Sequence, residues 1–242
     1  MNDHTITLWM FDFDNTLALL EPEVDWPASR RELEKLLRKA GAPEPLFAEF
    51  PNRNLTLYEA YREHLSTLVR YDGGGRTAML RNASAVIEKY ELKGANRALP
   101  LEGALDLLRS LRRRKIDAGI VTANSSRTVT RWLRHHRVTK SIKVIVGRDA
   151  LLPMKPAPHM LLRAIKDAGG TPKHTAFVGD SLADLESARE AKVTFYGIAP
   201  SEAARDRLVS GGATDVFSSP AAFAIHLNLD APPAKSRPAE RD

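Results

Sequence analysis

From residue 102 to residue 217 the sequence alternates between helical periodicity and short apolar runs, a rhythm that leaves few architectures open. Helix 102–114 precedes the apolar run DAGIVTA (117–123), and helix 126–136 precedes KVIVG (143–147). Helix 157–168 precedes HTAFVGD (174–180), helix 182–191 precedes VTFYGIA (193–199), and helix 201–210 precedes a short run at DVF. Alternating helices and apolar strands of this length predict a parallel sheet covered by helices on both faces, a Rossmann-like α/β fold. A further apolar strand is predicted at residues 5–11, far upstream. Between it and the repeating part, residues 18–98 show no strand pattern. PASRRELEKLLRKAGA, 55–71 and 76–92 carry apolar residues at helical spacing, with Gly73, Gly74 and Gly75 separating the last two. The predicted organisation is a core of residues 1–17 and 99–228 with a helical insert at 18–98. The Pro-rich, charged stretch 229–242 reads as a disordered tail.

The strand at 5–11 runs apolar into MFDFDNTL (10–17) and so delivers Asp12 and Asp14 to its end. Residues two apart on a strand share a face, and paired carboxylates are costly unless something neutralises them. In an open parallel sheet, ligands bind beyond the carboxyl ends of the strands, and there the other polar clusters fall too. One strand ends in VTAN, a later one in VGDSLAD, and PMKPAP between them places Lys155 in a proline-rich loop. Each cluster alone has an ordinary explanation: an Asx turn at Asp14, a β-forming Thr122, a loop lysine, a helix cap at Ser181. Their common edge does not. Asp12, Asp14 and Asp180 form a hard-oxygen set suited to Mg2+ rather than zinc. A carboxylate there can act as nucleophile toward a phosphoryl group, with Lys155 and the Thr122 hydroxyl on its oxygens. The second aspartate can protonate the leaving oxygen and then activate water.

Composition narrows the remaining classes. With no cysteine, disulfides, thiolate catalysis and Cys-ligated zinc are excluded. No apolar run reaches the ~18 residues that span a bilayer, and MNDHTITLWMF lacks the pattern of a secretory signal, so the cytoplasm is the expected compartment. The formal charge of +6 favours anions. The basic runs RRRK (112–115) and RWLRHHR (131–137) contain one aromatic, Trp132, and read as solvated helix faces, which argues against nucleic acid as a partner.

The four motifs DFDNTL (12–17), VTAN (121–124), KPAP (155–158) and GDSLAD (179–184) occur in an order and spacing that resembles the haloacid dehalogenase superfamily of aspartate-nucleophile hydrolases. The resemblance runs from residue 8 to about 217. It implies Asp12 as nucleophile and metal ligand, and Asp14 as general acid/base that binds Mg2+ through its backbone carbonyl. It further implies phosphate binding by Thr122, Ala123 and Asn124, Lys155 paired with nucleophile and phosphate, and Asp180 completing the metal site. Asp184 would orient Lys155 or a metal-bound water, with Ser181 supporting beside it. Asp14 favours phosphoryl chemistry, because the dehalogenases of the superfamily lack that second acid. Asn15 stands where many members carry glycine, and both residues tolerate the turn.

The helical insert resembles the C1 cap of phosphoglycolate-phosphatase-like members, in which the cap selects the substrate. Candidates there are Glu21, Asp25, Arg53, Asn54 and Tyr58, with FPNRN (50–54) as a polar loop between cap helices. Lys35, Lys39, Lys89 and Lys93 read as a solvated face rather than as a Schiff-base lysine. The expected activity is Mg2+-dependent hydrolysis of a small phosphorylated metabolite, phosphoglycolate-like or a sugar phosphate, by a monomer or homodimer. A β-phosphoglucomutase type of phosphomutase and a non-catalytic regulatory protein on the same scaffold are the alternatives.

Overall fold

The computed structural model describes residues 5–51, 53–68 and 73–229. In chain order the elements are β1 (Leu8–Phe11), β2 (Ala18–Leu19), α1 (Trp26–Lys39), α2 (Pro45–Glu49), α3 (Asn54–Thr67) and α4 (Gly73–Gly94). There follow β3 (Leu99–Pro100), α5 (Ala104–Arg113), β4 (Asp117–Val121), α6 (Ser126–His135), β5 (Val144–Val146) and α7 (His159–Asp167). The chain closes with β6 (Thr175–Gly179), α8 (Leu182–Ala191), β7 (Thr194–Ile198), α9 (Glu202–Ser210), β8 (Val216–Phe217) and α10 (Pro220–His226).

Six strands form one parallel sheet in the order β5-β4-β1-β6-β7-β8. All four residues of β1 and all five of β6 are buried, as a strand with helices on both faces requires. Alternate residues feed opposite layers. Leu8 and Met10 join one apolar cluster with Val121 and Phe177, whereas Trp9 and Phe11 join another with Ile120, Ala176 and Val178. The first cluster continues into the insert through Leu33, Leu57, Tyr61, Ala83 and Ile87. Because β1 lies between β4 and β6, the connections leave it in opposite directions, and a crevice opens at the carboxyl ends of these three strands.

The α/β expectation holds, with local differences. A two-stranded antiparallel ribbon of β2 and β3 pairs Ala18 with Pro100 and Leu19 with Leu99, joining the entry and exit of the insert. Such short strands carry no periodicity of their own. Gly73–Gly75 do not separate two helices but open α4. The first turn of a helix needs no intrahelical donors, so glycine is tolerated best there. Helix α2 and helix α10 were not expected from the sequence. The tail reading falls almost entirely on 230–242, outside the described residues.

Candidate active site

Residue 12 follows directly on the last residue of β1, and its amide still donates to Val178 O at 2.8 Å. The chain then turns sharply: Leu17 N and Ala18 N both donate to Phe13 O, and Asn15 adopts φ 60°. This left-handed region suits asparagine better than most side chains. The turn separates the two aspartates. The pleat ends at Phe11, yet Asp12 and Asp14 still line one cavity, with Asp14 held separately by backbone amides. Asp14 Oδ1 accepts the amides of Leu20 (2.8 Å) and Glu21 (3.2 Å). Its partners are the backbone at the entry to the insert.

The cluster of negative charge is instead formed by Asp12, Asp180 and Asp184, each offering a carboxylate oxygen within 4.8 Å of the others. Asp180 follows β6, and the Thr16 hydroxyl donates to its Oδ1 at 3.4 Å. Ser181 caps α8 in a capping box with Asp184: Ser181 Oγ and N donate to Asp184 Oδ2 at 2.6 and 3.1 Å, and Asp184 N donates to Ser181 Oγ. A side chain at Gly179 would put Cβ 2.5 Å from Asp184 Cβ, so the close approach needs glycine. The other oxygen of Asp184 is free for Lys155. Lys155 Nζ donates to Asp12 Oδ1 and Asp184 Oδ1, both at 2.5 Å, and reaches Val121 O at 3.4 Å. The Lys155–Pro156 peptide is cis.

Asp12, Asp14, Lys155, Ser181 and Asp184, with Thr122, Ala123 and Asn124 after β4, line one cavity of about 430 Å3, and Asp180 sits beside this lining rather than in it. The insert closes it with Leu55, Thr56 and Glu59 from α3, and Glu59 Oε1 accepts Met154 N at 3.2 Å. A smaller hollow of about 270 Å3 next to it holds Asp14, Glu21, Trp26, Arg53, Asn54 and Thr56. Arg53, Asn54 and Glu21 therefore lie beside Asp14. Asn54 is almost wholly buried and donates to Trp26 O at 3.2 Å. Asp25 caps α1 through Ala28 N, and Tyr58 is fully buried in the insert, so neither lines the cavity. Lys35, Lys39, Lys89 and Lys93 are exposed, and Lys89 pairs with Glu32.

Burial sets the electrostatics. It raises Asp12 well above the ordinary carboxylate range, with Lys155 opposing and Asp184 and Asp180 adding to the rise. Burial raises Asp14 to about 6, although the Leu20 and Glu21 amides favour its charged form. Burial and the Asp184 charge raise Asp180 to about 7. For Lys155 burial works against the charge, yet Asp12 and Asp184 outweigh it and hold the ammonium above its usual range. Two buried carboxylates, Asp12 and Asp184, and the half-buried Asp180 outnumber the one ammonium, and the donors are all hard oxygens. This fits a small divalent cation such as Mg2+.

The sign of the pH dependence follows. Between about pH 4 and 7 the folded chain holds protons on Asp14 and Asp180 that the unfolded chain has released, so stability falls as pH rises. In EDTA the thermal midpoint is expected to be higher at pH 5 than at pH 8. After discounting for partial exposure the gain is on the order of 2 kcal/mol, or roughly 4–8 °C. Asp180→Asn should flatten the profile, and Mg2+ should raise the midpoint more at pH 8 than at pH 5. Thermal unfolding checks this: a profile in EDTA that is flat or rises toward pH 8 would contradict the raised carboxylates.

Two residues bearing on the site escaped the sequence reading. Glu91 and Arg148 form an ion pair with both side chains 0% exposed, against the loop 122–125. The signal was present in the spacing: Ala83, Ser84 and Ile87 mark the buried stripe of α4, and Glu91 continues it at i+4.

The sequence model of the family described as haloacid dehalogenase-like hydrolase matches residues 9–198. A phosphoglycolate phosphatase of Pseudomonas putida is 28% identical over 191 residues, covering 79% of this chain and 68% of that protein. For a second relative from that species, a probable phosphoglycolate phosphatase, the alignment covers 38% of its length. Among solved structures, a hydrolase from Pseudomonas syringae aligns over 93% of this chain and all of its own, at TM-score 0.59 and 21% identity. The CbbY protein of Rhodobacter sphaeroides, in complex with xylulose-(1,5)bisphosphate, aligns over 90% of this chain and 96% of its own, at TM-score 0.59 and 19% identity. The structural likenesses speak for the fold, and the family model spans well over half of the sequence, including all four motifs: this chain belongs to the haloacid dehalogenase-like hydrolases.

Proposed function

We propose that the chain is a Mg2+-dependent phosphatase of small phosphorylated metabolites, either phosphoglycolate-like or sugar phosphate monoesters. The observation that carries this reading is the Lys155 ammonium held between Asp12 and Asp184, in a cavity that Asp14 and Thr122 also line. The names of the relatives, phosphoglycolate phosphatases among them, agree with it.

Asp12 attacks phosphorus with a carboxylate oxygen, and the bond to the leaving oxygen breaks as Asp14 gives that oxygen its proton. A pKa of about 6 suits Asp14 to hold a proton in the first step and to take one in the second. Water, having lost a proton to Asp14, then attacks the phosphorus of the aspartyl phosphate, releasing orthophosphate and restoring Asp12. Thr122 and the Ala123–Asn124 segment hold phosphoryl oxygens, and Lys155 favours the ionised form of Asp12 against its burial and adds positive charge beside them. Asp12, Asp180 and the Asp14 carbonyl would hold Mg2+, which when bound neutralises phosphoryl charge next to the nucleophile. The insert acts as a cap, excluding bulk water through α3. Leu20 and Glu21 lie where the chain enters this cap, so their amides tie the orientation of the acid to its base.

The test is orthophosphate release from a panel of phosphate monoesters with Mg2+ or with EDTA. Release that requires the metal, with a preference among hydroxy-acid and sugar phosphates, is the expected result. A metal-loaded protein that releases nothing from any of them would overturn the reading.

A further inference from the structure

We infer that Glu91 and Arg148 are positioning residues for the phosphate-binding loop, so that phosphoryl affinity depends on α4 being seated against the core. This rests on the phosphatase reading above.

Glu91 lies in the last turns of α4, the helix by which the insert returns to the sheet, and Arg148 lies just after β5. Their contact is two-pronged, Nη1 to Oε1 at 2.8 Å and Nη2 to Oε2 at 3.1 Å. Such a pair gives up much hydration, and apolar residues of the same volume often stabilise a fold as well. Its remaining hydrogen-bonding capacity shows what it holds. Glu91 Oε1 accepts Asn124 Nδ2 at 3.1 Å, and Oε2 accepts Ser125 N at 3.1 Å and the Thr128 hydroxyl at 3.3 Å. Arg148 donates from Nη1 to Ala123 O at 2.7 Å and from its own amide to Asn124 O at 2.9 Å. Its other donors return to Ser84 of α4, Nε to Oγ at 3.2 Å and Nη2 to O at 3.3 Å.

Three consecutive residues, 123–125, are thus fixed by one pair. The fixation reaches the phosphate-binding hydroxyl. Because the Asn124 amide nitrogen faces Glu91, its oxygen faces Thr122, whose Oγ1 donates to it at 3.1 Å and accepts Asn124 N at 3.1 Å. The approach is close on the other side as well, since a Cβ at Gly147 would lie 2.7 Å from Asn124 O. The pair links the cap helix on one side with the loop on the other. Coupling of this kind is reciprocal: if seating α4 favours phosphate, phosphate favours the seated helix.

The test uses the full chain with Mg2+. Replacing both residues, Glu91→Gln with Arg148→Met, removes both charges together and leaves neither buried alone. Leu208→Ala, a cavity in the core beside β7, controls for lost stability. The double variant is expected to raise KM for p-nitrophenyl phosphate and the inhibition constant of orthophosphate by about tenfold or more. The Leu208→Ala control should leave both within twofold of wild type, at an equal or larger fall in thermal midpoint. Orthophosphate should slow amide exchange across residues 84–95 in wild type and not in the double variant. Wild-type constants in the folded double variant, or no exchange response in wild type, would overturn the inference while leaving phosphatase activity intact. Should the double variant not fold, Arg148→Lys carries the same comparison, because it keeps the charge but loses the two-pronged geometry. Wild-type protein that neither binds orthophosphate nor turns over any ester overturns the phosphatase reading, and this inference with it.

Discussion

Asp12→Asn is expected to lower turnover by at least about 10³-fold with the fold intact. The amide is isosteric with the carboxylate but cannot form the acyl phosphate. It also removes one negative charge from a crowded trio while Asp184 still holds Lys155. The metal-free variant should therefore unfold no earlier than wild type, which separates lost chemistry from lost structure. Asp14→Asn tests the other half of the mechanism. A p-nitrophenolate leaving group needs little protonation, so the loss should be larger on an alkyl phosphate than on p-nitrophenyl phosphate. Initial rates with both esters, beside circular dichroism, check this. Asp12→Asn retaining a tenth of wild-type turnover would remove Asp12 as nucleophile, and equal losses on the two esters would remove Asp14 as acid.

The second large effect is on stability. Glu91→Ala leaves the Arg148 guanidinium fully buried with carbonyl and hydroxyl partners but no counter-charge. Breaking one side of such a pair costs about 3–5 kcal/mol, and the thermal midpoint should fall by roughly 6–20 °C in a chain of this size. A surface pair gives the contrast. In Arg109–Asp106 the aspartate is 82% exposed, and Asp106→Ala should change stability by less than about 1 kcal/mol. Thermal or urea unfolding of the two variants decides. Equal small effects would mean that water or a rearranged partner reaches Arg148.

The sheet was legible in the sequence because strands buried on both faces must be short and continuously apolar, as LWMF and TAFVG are. The motif residues were legible because function gathers where parallel strands end, and three such ends carried polar residues. The missed features have other physical origins. The β2–β3 ribbon is two residues long on each side and owes its existence to the paired entry and exit of the insert. The tie between Asp14 and the amides of Leu20 and Glu21 depends on where β1 stops pairing, which no residue type announces. Glu91 and Arg148 lie 57 residues apart, and the run EKYEL around Glu91 resembles any solvated helix. Its place on the apolar stripe of α4 was the one local sign. The domain limits drawn at 17/18 and 98/99 remain a proposal, since α4 packs with both the insert and the core.

The position of β1 has a consequence for biosynthesis. Phe11 pairs with Ile120 on one side and with Val178 on the other, so the second partner is made 167 residues later. At about 5–20 residues per second an extended, wholly apolar segment waits roughly 8–30 s for its last neighbour. Of the six strands of this sheet β1 is made first, yet it completes its hydrogen bonds only after the later-made β4 and β5 have paired, and until then one edge of LWMF stays open on a growing chain. A holding chaperone that favours short apolar segments would find its natural target there.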